Sequence, residues 1–454
     1  MCGLFGLRAP GRDVARLSYF GLYALQHRGQ ESAGIAVSED GRLTVLRDLG
    51  LVPQVFDERS LSGLKGQLAI GHTRYSTTGG NAWINSQPLI HHGRVRTVAL
   101  GHNGNLVNAT ELRAETGKTL ASSSDSEVVA AIIADDPRPL EQAIVGAMER
   151  IEGAASVVGL AEETLFAFRD AHGFRPLVLG RLGEDHVVAS ETCALDLVGA
   201  DFVREIEPGE LVLIGDDGIR SIQALERAGG GALCIFEFFY LARPDTKLCG
   251  VEIYGARVRM GERLAREAPV EADLVLPIPD SGTPAAIGFA RASGIPFSEG
   301  LIKNRYVGRT FIQPEQGMRE QGVRMKFNPL AEVAGKRVVA VDDTIVRGST
   351  TRQIVQMLFD AGAAEVHVRI SAPPIVSPCY YGIDFASEDE MIAAHSTVEQ
   401  VREAIGATSL AYLSLDGLQE STERPASTLC RACLTREYPT RTPTDAGKLR
   451  FERV

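Results

Sequence analysis

Arg337-Val338-Val339-Ala340-Val341-Asp342-Asp343-Thr344-Ile345-Val346-Arg347-Gly348-Ser349-Thr350-Thr351 decides how the chain is read. The apolar run Val338–Val341 suits a strand buried on both faces. Two carboxylates end it. Gly348 then permits a turn with positive φ and keeps side-chain atoms out of the way of a ligand. Ser349, Thr350 and Thr351 open a segment with Ile354, Val355, Leu358 and Phe359 at helical spacing. A helix start offers unpaired N–H groups and the positive end of a dipole, which favours phosphate. Adjacent carboxylates can accept from sugar hydroxyls or hold a divalent cation. An isolated Asp-Asp could equally be an acidic turn before a capped helix, but no fold requirement places it beside a Gly-Ser-Thr turn. The stretch is not a Walker loop, because the Gly-Lys-Ser/Thr ending is missing.

The stretch resembles the 5-phosphoribosyl-1-pyrophosphate (PRPP) signature of type I phosphoribosyltransferases. The resemblance implies that Asp342 and Asp343 address the ribose hydroxyls and Mg²⁺, and that Thr344, Arg347, Gly348, Ser349 and Thr350 surround the 5-phosphate. A second strand-turn-helix unit strengthens it. Asp273–Pro279 reads as a strand, and Asp280-Ser281-Gly282-Thr283-Pro284 is the turn a pyrophosphate loop needs. Asp280, Ser281 and Gly282 become PRPP contacts, with Ser281 beside Mg²⁺. Lys303 opens a cation-rich segment, Lys303–Phe311, similar to the family's mobile loop over PRPP. Arg319, Arg324 and Lys326 add cations beyond it. Thr344 and Ser349 stand where Ser and Thr are more usual in the family, and both keep the hydroxyl.

The 454 residues allow two or three domains. A net charge of -11 argues against a nucleic-acid binder. No run of about eighteen apolar residues suggests a membrane span. The start lacks a signal peptide's basic region, so a cytoplasmic location is expected, with cysteines catalytic, metal-binding or inert.

Cys2 follows Met1 directly, and trimming of Met1 would leave a thiol and an α-amine on one residue. An amine titrating near pH 8 can serve as base for that thiol. The blocks Leu25–Ile35, Gly71–Thr77, Gly101–Leu106 and Ser122–Glu127 are polar clusters beside apolar runs, where sites are built. In amide hydrolysis Asn103 and the Gly104 N–H can form an oxyanion hole. Arg74 can hold the α-carboxylate of glutamine, and Asp125 its α-ammonium. The alternatives are a hairpin turn at Asn103-Gly104, a helix cap at Asp125 and a surface ion pair at Arg74. His27, His72 and His102 are given no catalytic role. Together these blocks resemble the N-terminal-nucleophile glutaminase of purine-type glutamine amidotransferases.

Gly229-Gly230-Gly231 is the expected boundary, giving a glutaminase domain over 2–230 and a phosphoribosyltransferase domain over 231–454. The expected folds are an αββα sandwich (α+β) followed by a parallel α/β domain. The aromatic block Cys234–Asp245 is expected to be buried where they meet.

Cys430-Arg431-Ala432-Cys433 is a Cys-x2-Cys pair that suggests metal binding. Cys193, Cys234, Cys249 and Cys379 could complete it, and spacing leaves zinc, an iron–sulfur cluster and no metal all open. The contexts of Cys234 and Cys379 match the iron–sulfur branch of the amidophosphoribosyltransferases. That resemblance implies a [4Fe–4S] cluster on Cys234, Cys379, Cys430 and Cys433. It further implies synthesis of 5-phosphoribosylamine from glutamine and PRPP, one Mg²⁺, purine-nucleotide feedback inhibition and a homotetramer. Many relatives carry a cleaved propeptide; here only Met1 would be lost. A glutaminase serving another acceptor and a non-catalytic nucleotide sensor are the competing classes. The Asp-Asp-Thr stretch counts against the first, and the complete glutamine set against the second.

Overall fold

The computed structural model describes residues 1–304, 325–385 and 387–443. The cationic positions Arg305, Arg309, Arg319 and Arg324 lie outside the described residues.

The first half stacks two antiparallel sheets. One has seven strands, in the order Asp201–Glu205, Val178–Leu182, Asp185–Ala189, Gly3–Arg8, Leu68–Arg74, Ser32–Glu39 and Arg42–Leu49. The other has six: Gly218–Gln223, Glu210–Gly215, Thr164–Arg169, Gly153–Ala161, Thr97–Leu106 and Leu89–His92. Successive side chains of a strand point to opposite faces, and the sequence uses both. Leu4, Ile70, Val158, Leu160 and Leu165 pack between the sheets. Phe5 and Leu7 point outward beneath the helix Val14–Ala24. Val157 and Phe168 point outward beneath the helices Asp125–Asp135 and Leu140–Arg150. Three apolar layers therefore separate four layers of structure, the expected αββα sandwich.

The second half carries a four-stranded parallel sheet in the order Leu274–Pro277, Arg337–Asp342, Glu365–Ile370 and Ser409–Tyr412. Val339 and Val341 face the helices Ile253–Glu267 and Thr283–Ser293. Val338 and Ala340 face Ser349–Asp360 and Val398–Ile405. Both faces are covered, which is why this strand reads as continuous apolar sequence. Loops after strands 274–277 and 337–342 leave the same end of the sheet, where open α/β sheets bind ligands.

The glycine run is tied down at its edges. Ala228 N donates to Ala171 O at 2.9 Å, and Ala232 N to His172 O at 2.7 Å. Beyond it, Phe236, Phe238 and Phe239 are buried, as expected of the aromatic block. Their short π-helical turn, Glu237–Leu241, buries a carboxylate as well. Arg28 Nη2 reaches Glu237 Oε2 at 2.7 Å, its Nε bonds Glu191, and Arg175 stands 3.5 Å from Glu237. Arg28 and Arg175, without side-chain exposure, thus pair with buried Glu237 across the halves, while Arg28 also pairs with buried Glu191 within the first half. Breaking such a pair strands a buried charge.

Candidate functional site

Cys2 precedes the first strand, whose pairing of Gly3 with Thr73 sets the thiol beside Arg74 and Tyr75. The Cys2 N–H donates to Asn103 Oδ1 at 3.1 Å, and Sγ lies 3.7 Å from Tyr75 O. Asn103 and Gly104 sit within the strand Thr97–Leu106, paired with Ser156 and Ala155. They are not a hairpin turn. The carboxamide oxygen of Asn103 is engaged by Cys2, while its buried Nδ2 has no partner. An idle buried donor normally costs stability, and this one leaves Asn103 with a free donor while its oxygen is engaged by Cys2.

Cys2, Arg74, Gly104 and Asp125 line one pocket with Tyr75, Ser76, Thr77 and Thr78. Arg74 is buried at 2 % exposure, so it is not a surface ion pair. Its Nη1 donates to Gly80 O at 3.1 Å, and Nη2 lies 3.3 Å from the Thr78 and Gly79 carbonyls. Asp125 opens the helix Asp125–Asp135 behind the cap Ser124, and its Oδ2 accepts from Leu106 N at 2.9 Å.

A polar frame stands behind these groups. His102 N donates to Gln87 Oε1 at 2.8 Å, and Gln87 Nε2 to Ser126 Oγ at 2.9 Å. Glu127 accepts from Ala121 N at 3.1 Å and Ser122 N at 2.6 Å, holding the serine loop. Burial opposes its charge, but His91 and Ser122 outweigh that and lower its pKa to about 2. Burial, only partly offset by a hydrogen bond to His102 O, drops His72 to about 3, so it is a neutral framework residue. Glu127 closes the polar block 122–127, whereas Gln87 lies outside the blocks singled out in the sequence; its one signal is polarity in a segment otherwise buried.

The second cluster gathers at the ends of the parallel strands. A Cβ on Gly282 would stand 2.5 Å from Val341 O and 3.2 Å from Asp342 Cα, so glycine lets the 280–283 turn touch the Asp-Asp strand. Ser281 hydrogen-bonds Asp343. Burial, then the Asp343 charge, pushes Asp342 well above the usual carboxylate range. Burial raises Asp343 to about 6 against the pull of Ser281 and Arg257. Lys326 lies close enough to act on Asp342. The Thr344 hydroxyl is buried without a partner. Gly348, at φ +77°, caps the helix Ser349–Asp360, whose Ser349 and Thr350 are exposed. Lys303 pairs with exposed Asp280, and exposed Arg347 with Glu390.

The cysteines divide into two sets. Leu233–Cys234 pairs in parallel with Leu429–Cys430, structure that the terminal segment gave no sign of in sequence. The short helix Ala432–Thr435 follows, and Val376 N donates to Cys433 O at 2.9 Å, which draws in the loop of Cys379. Burial first, then the neighbouring thiols, raises Cys430 and Cys433. Burial raises Cys234 to about 11 against the pull of the Arg175 guanidinium. Among the described residues, no three His, Cys, Asp or Glu side chains are arranged to hold a metal ion. Cys193 and Cys249 lie apart beside Glu191 and Glu205, each raised to about 12 by burial and that carboxylate.

Residues 72–197 match the glutamine amidotransferase domain family, and residues 258–373 the phosphoribosyl transferase domain family. The amidophosphoribosyltransferase of Mycobacterium tuberculosis is 52 % identical over 98 % of this chain and 88 % of its own length. That of Archaeoglobus fulgidus is 47 % identical over 98 % and 99 %. The chain belongs to the amidophosphoribosyltransferases. Among solved members, the glutamine PRPP amidotransferase of B. subtilis, complexed with ADP and GMP, superposes with a TM-score of 0.91 at 45 % identity, over 98 % of this chain and 99 % of that one. Amidophosphoribosyltransferases are glutamine-dependent pentosyltransferases of purine biosynthesis, so this chain makes 5-phosphoribosylamine, glutamate and pyrophosphate from PRPP, glutamine and water. Among the described residues, no helix is long and apolar enough to cross a membrane.

Proposed function

We propose that the two clusters divide the reaction between them, with glutamine opened at Cys2 and PRPP consumed at Asp342-Asp343. The carrying observation is Asn103, whose oxygen is occupied by Cys2 N while its buried Nδ2 stays unpartnered beside the thiol. With Met1 removed, the Cys2 amine takes the thiol proton. Sγ bonds the side-chain carbonyl carbon of glutamine, and the oxygen that gains charge is met by Asn103 Nδ2 and the Gly104 N–H. The C–N bond breaks, the proton leaves with ammonia, and water hydrolyses the thioester to glutamate. Arg74 and Asp125 hold the amino-acid end.

At the second cluster, ammonia bonds ribose C1 as the C1–O bond to pyrophosphate breaks. Asp280, Ser281, Gly282 and Lys303 serve the pyrophosphate; Thr344, Arg347, Gly348, Ser349 and Thr350 serve the 5-phosphate. Asp342 and Asp343 take the ribose hydroxyls. A divalent cation fits here, because two adjacent carboxylates are pushed above their ordinary range despite the pull of Lys326 and Arg257, and a buried Thr344 hydroxyl lacks a partner. Ser281, Asp342 and Asp343 would hold Mg²⁺, which neutralises charge on the departing pyrophosphate.

The donor set of Cys234, Cys379, Cys430 and Cys433 suits a [4Fe–4S] cluster. Burial and the neighbouring thiols raise Cys234, Cys430 and Cys433, while Arg175 draws Cys234 and Cys430 down. Such a cluster would tie distant stretches together rather than carry electrons for the reaction. Domains meeting at 230/231, a homotetramer, a cytoplasmic site and inhibition by purine nucleotides complete the proposal. The nucleotides bound in the B. subtilis relative support the last of these.

Purified protein given Mg²⁺, glutamine and PRPP should release glutamate and pyrophosphate one for one. Glutamate without pyrophosphate would overturn the assignment of the second cluster; pyrophosphate from ammonia but never from glutamine would overturn the first.

A further inference from the structure

The turn Tyr380-Tyr381-Gly382 belongs to the C-terminal half, following the parallel strand Glu365–Ile370, yet it rests on the oxyanion strand of the N-terminal half. A Cβ on Gly382 would stand 3.2 Å from both the carbonyl carbon and the oxygen of Gly104, and 3.3 Å from its Cα. Gly382 also has φ +110°, which side-chain-bearing residues seldom adopt. Gly104 has no room on its other flank, since a Cβ there would meet Ala154 O at 1.9 Å. The Cα and carbonyl of Gly104, adjoining the nitrogen that carries its N–H, are thus held between Ala154 and Gly382.

A polar link lies beside this contact. Asn105 Nδ2 donates to Tyr380 O at 2.9 Å, and its Oδ1 accepts from Thr78 in the loop that lines the glutamine pocket. The turn itself is fixed from below. Arg175 Nε and Nη2 donate to Tyr381 O at 3.0 and 2.6 Å, and the Tyr381 ring stacks on Phe174 with centroids 4.1 Å apart. Arg175 and Tyr381 are fully buried, so the support is stiff.

We propose that Gly382, with the Tyr380 carbonyl, is a positioning element for the oxyanion donor at Gly104, so that the glutamine site is completed by a turn from the other half of the chain. The inference rests on the reading of Asn103 and Gly104 as the oxyanion hole. A donor preset toward the developing charge needs its peptide held to a fraction of an ångström. Two glycines back to back allow that approach, and any side chain at 382 must push the Gly104 peptide or withdraw the turn.

The test is Gly382→Ala in the full-length protein. Glutamate release should lose about tenfold or more in kcat, with the KM for glutamine changed less than about twofold. Ammonia-dependent pyrophosphate release should stay within about twofold of wild type, and alkylation of Cys2 by iodoacetamide should keep its rate, because neither step uses the oxyanion donor. Asn105→Ala, which keeps the backbone but cuts the tie to Tyr380, should lower the same kcat by a smaller factor. It serves alone if the glycine variant fails to fold. Unchanged glutamate release in both variants, or parallel loss of glutamine- and ammonia-dependent synthesis, overturns the inference. A wild-type protein that released no glutamate would instead sink the reading on which it rests.

Discussion

The cluster at Cys2 and the cluster at Asp342-Asp343 are built on opposite plans. The first has its groups fixed by antiparallel strands: Cys2 and Asn103 are buried, and Asn103 is aimed by its bond to Cys2 N. The second is open. Asp280, Arg347, Ser349 and Thr350 are exposed, and two of its charged groups spend themselves on local partners, Lys303 on Asp280 and Arg347 on Glu390. A neutral amide needs only a rigid hole at one oxygen, which a sheet interior supplies. A ligand with many phosphate charges can recruit cations from weak surface pairs at little cost. Rigidity therefore sits where charge develops late, and adaptability where the ligand arrives charged.

The largest effect that could break this contrast is at the nucleophile. Cys2→Ser should cut glutamate release by about 10³-fold or more while ammonia-dependent pyrophosphate release persists, read by paired assays on one preparation. Loss of both would mean that the pockets are not separable.

The buried ion pairs of Glu191 come next. Burial opposes charge on Glu191, but Arg28 and His27 more than reverse that and hold it well below its ordinary 4.5. Glu191→Gln should cost about 3–5 kcal/mol at neutral pH in urea unfolding. A carboxylate depressed by folding contributes fully above the unfolded value and progressively less as pH falls. The gap between wild type and variant should therefore narrow below about pH 4.5. A gap independent of pH would show that the charge of Glu191 is not what stabilises this buried cluster.

Asn103→Ala should lower kcat for glutamine by about 10²–10³-fold, with little change in the ammonia-dependent reaction. A rise in KM alone would recast Asn103 as a substrate-holding group and make the cluster at Cys2 less preset than described. The smallest effect is expected on the open side. Glu390→Gln releases Arg347 from an exposed pair worth about 0–1 kcal/mol, so the KM for PRPP should fall by no more than about fivefold. A rise would place Glu390 itself in the second cluster.

The framework of the second cluster was legible because it is written in contiguous residues, whereas the first is scattered over short polar blocks from Cys2 to Asp125. The 337–351 stretch encodes strand, carboxylates, turn and helix start in one pass, and the structure has them in that order. Asn103-Gly104 was ambiguous in sequence, since the same dipeptide favours hairpin turns; its pairing with Ser156 and Ala155 resolves it. Gln87 and Gly382 were not legible. Gln87 acts on a residue 15 positions away and Gly382 on one 278 away, through a hydrogen bond and a contact that no local pattern reports.

Local chemistry is what the sequence determined alone: a thiol behind the initiator, an acidic pair before a glycine turn, apolar runs with periods fit for two kinds of sheet. Those depend on neighbours along the chain, and neighbours are given. Which far segments touch was settled only in three dimensions, where Arg28 and Arg175 found Glu237, Cys234 found Cys430, and Gly382 came to rest on Gly104. The physical reason is that packing selects partners by shape and by the cost of leaving a buried charge or donor alone, and neither is a property of any one stretch.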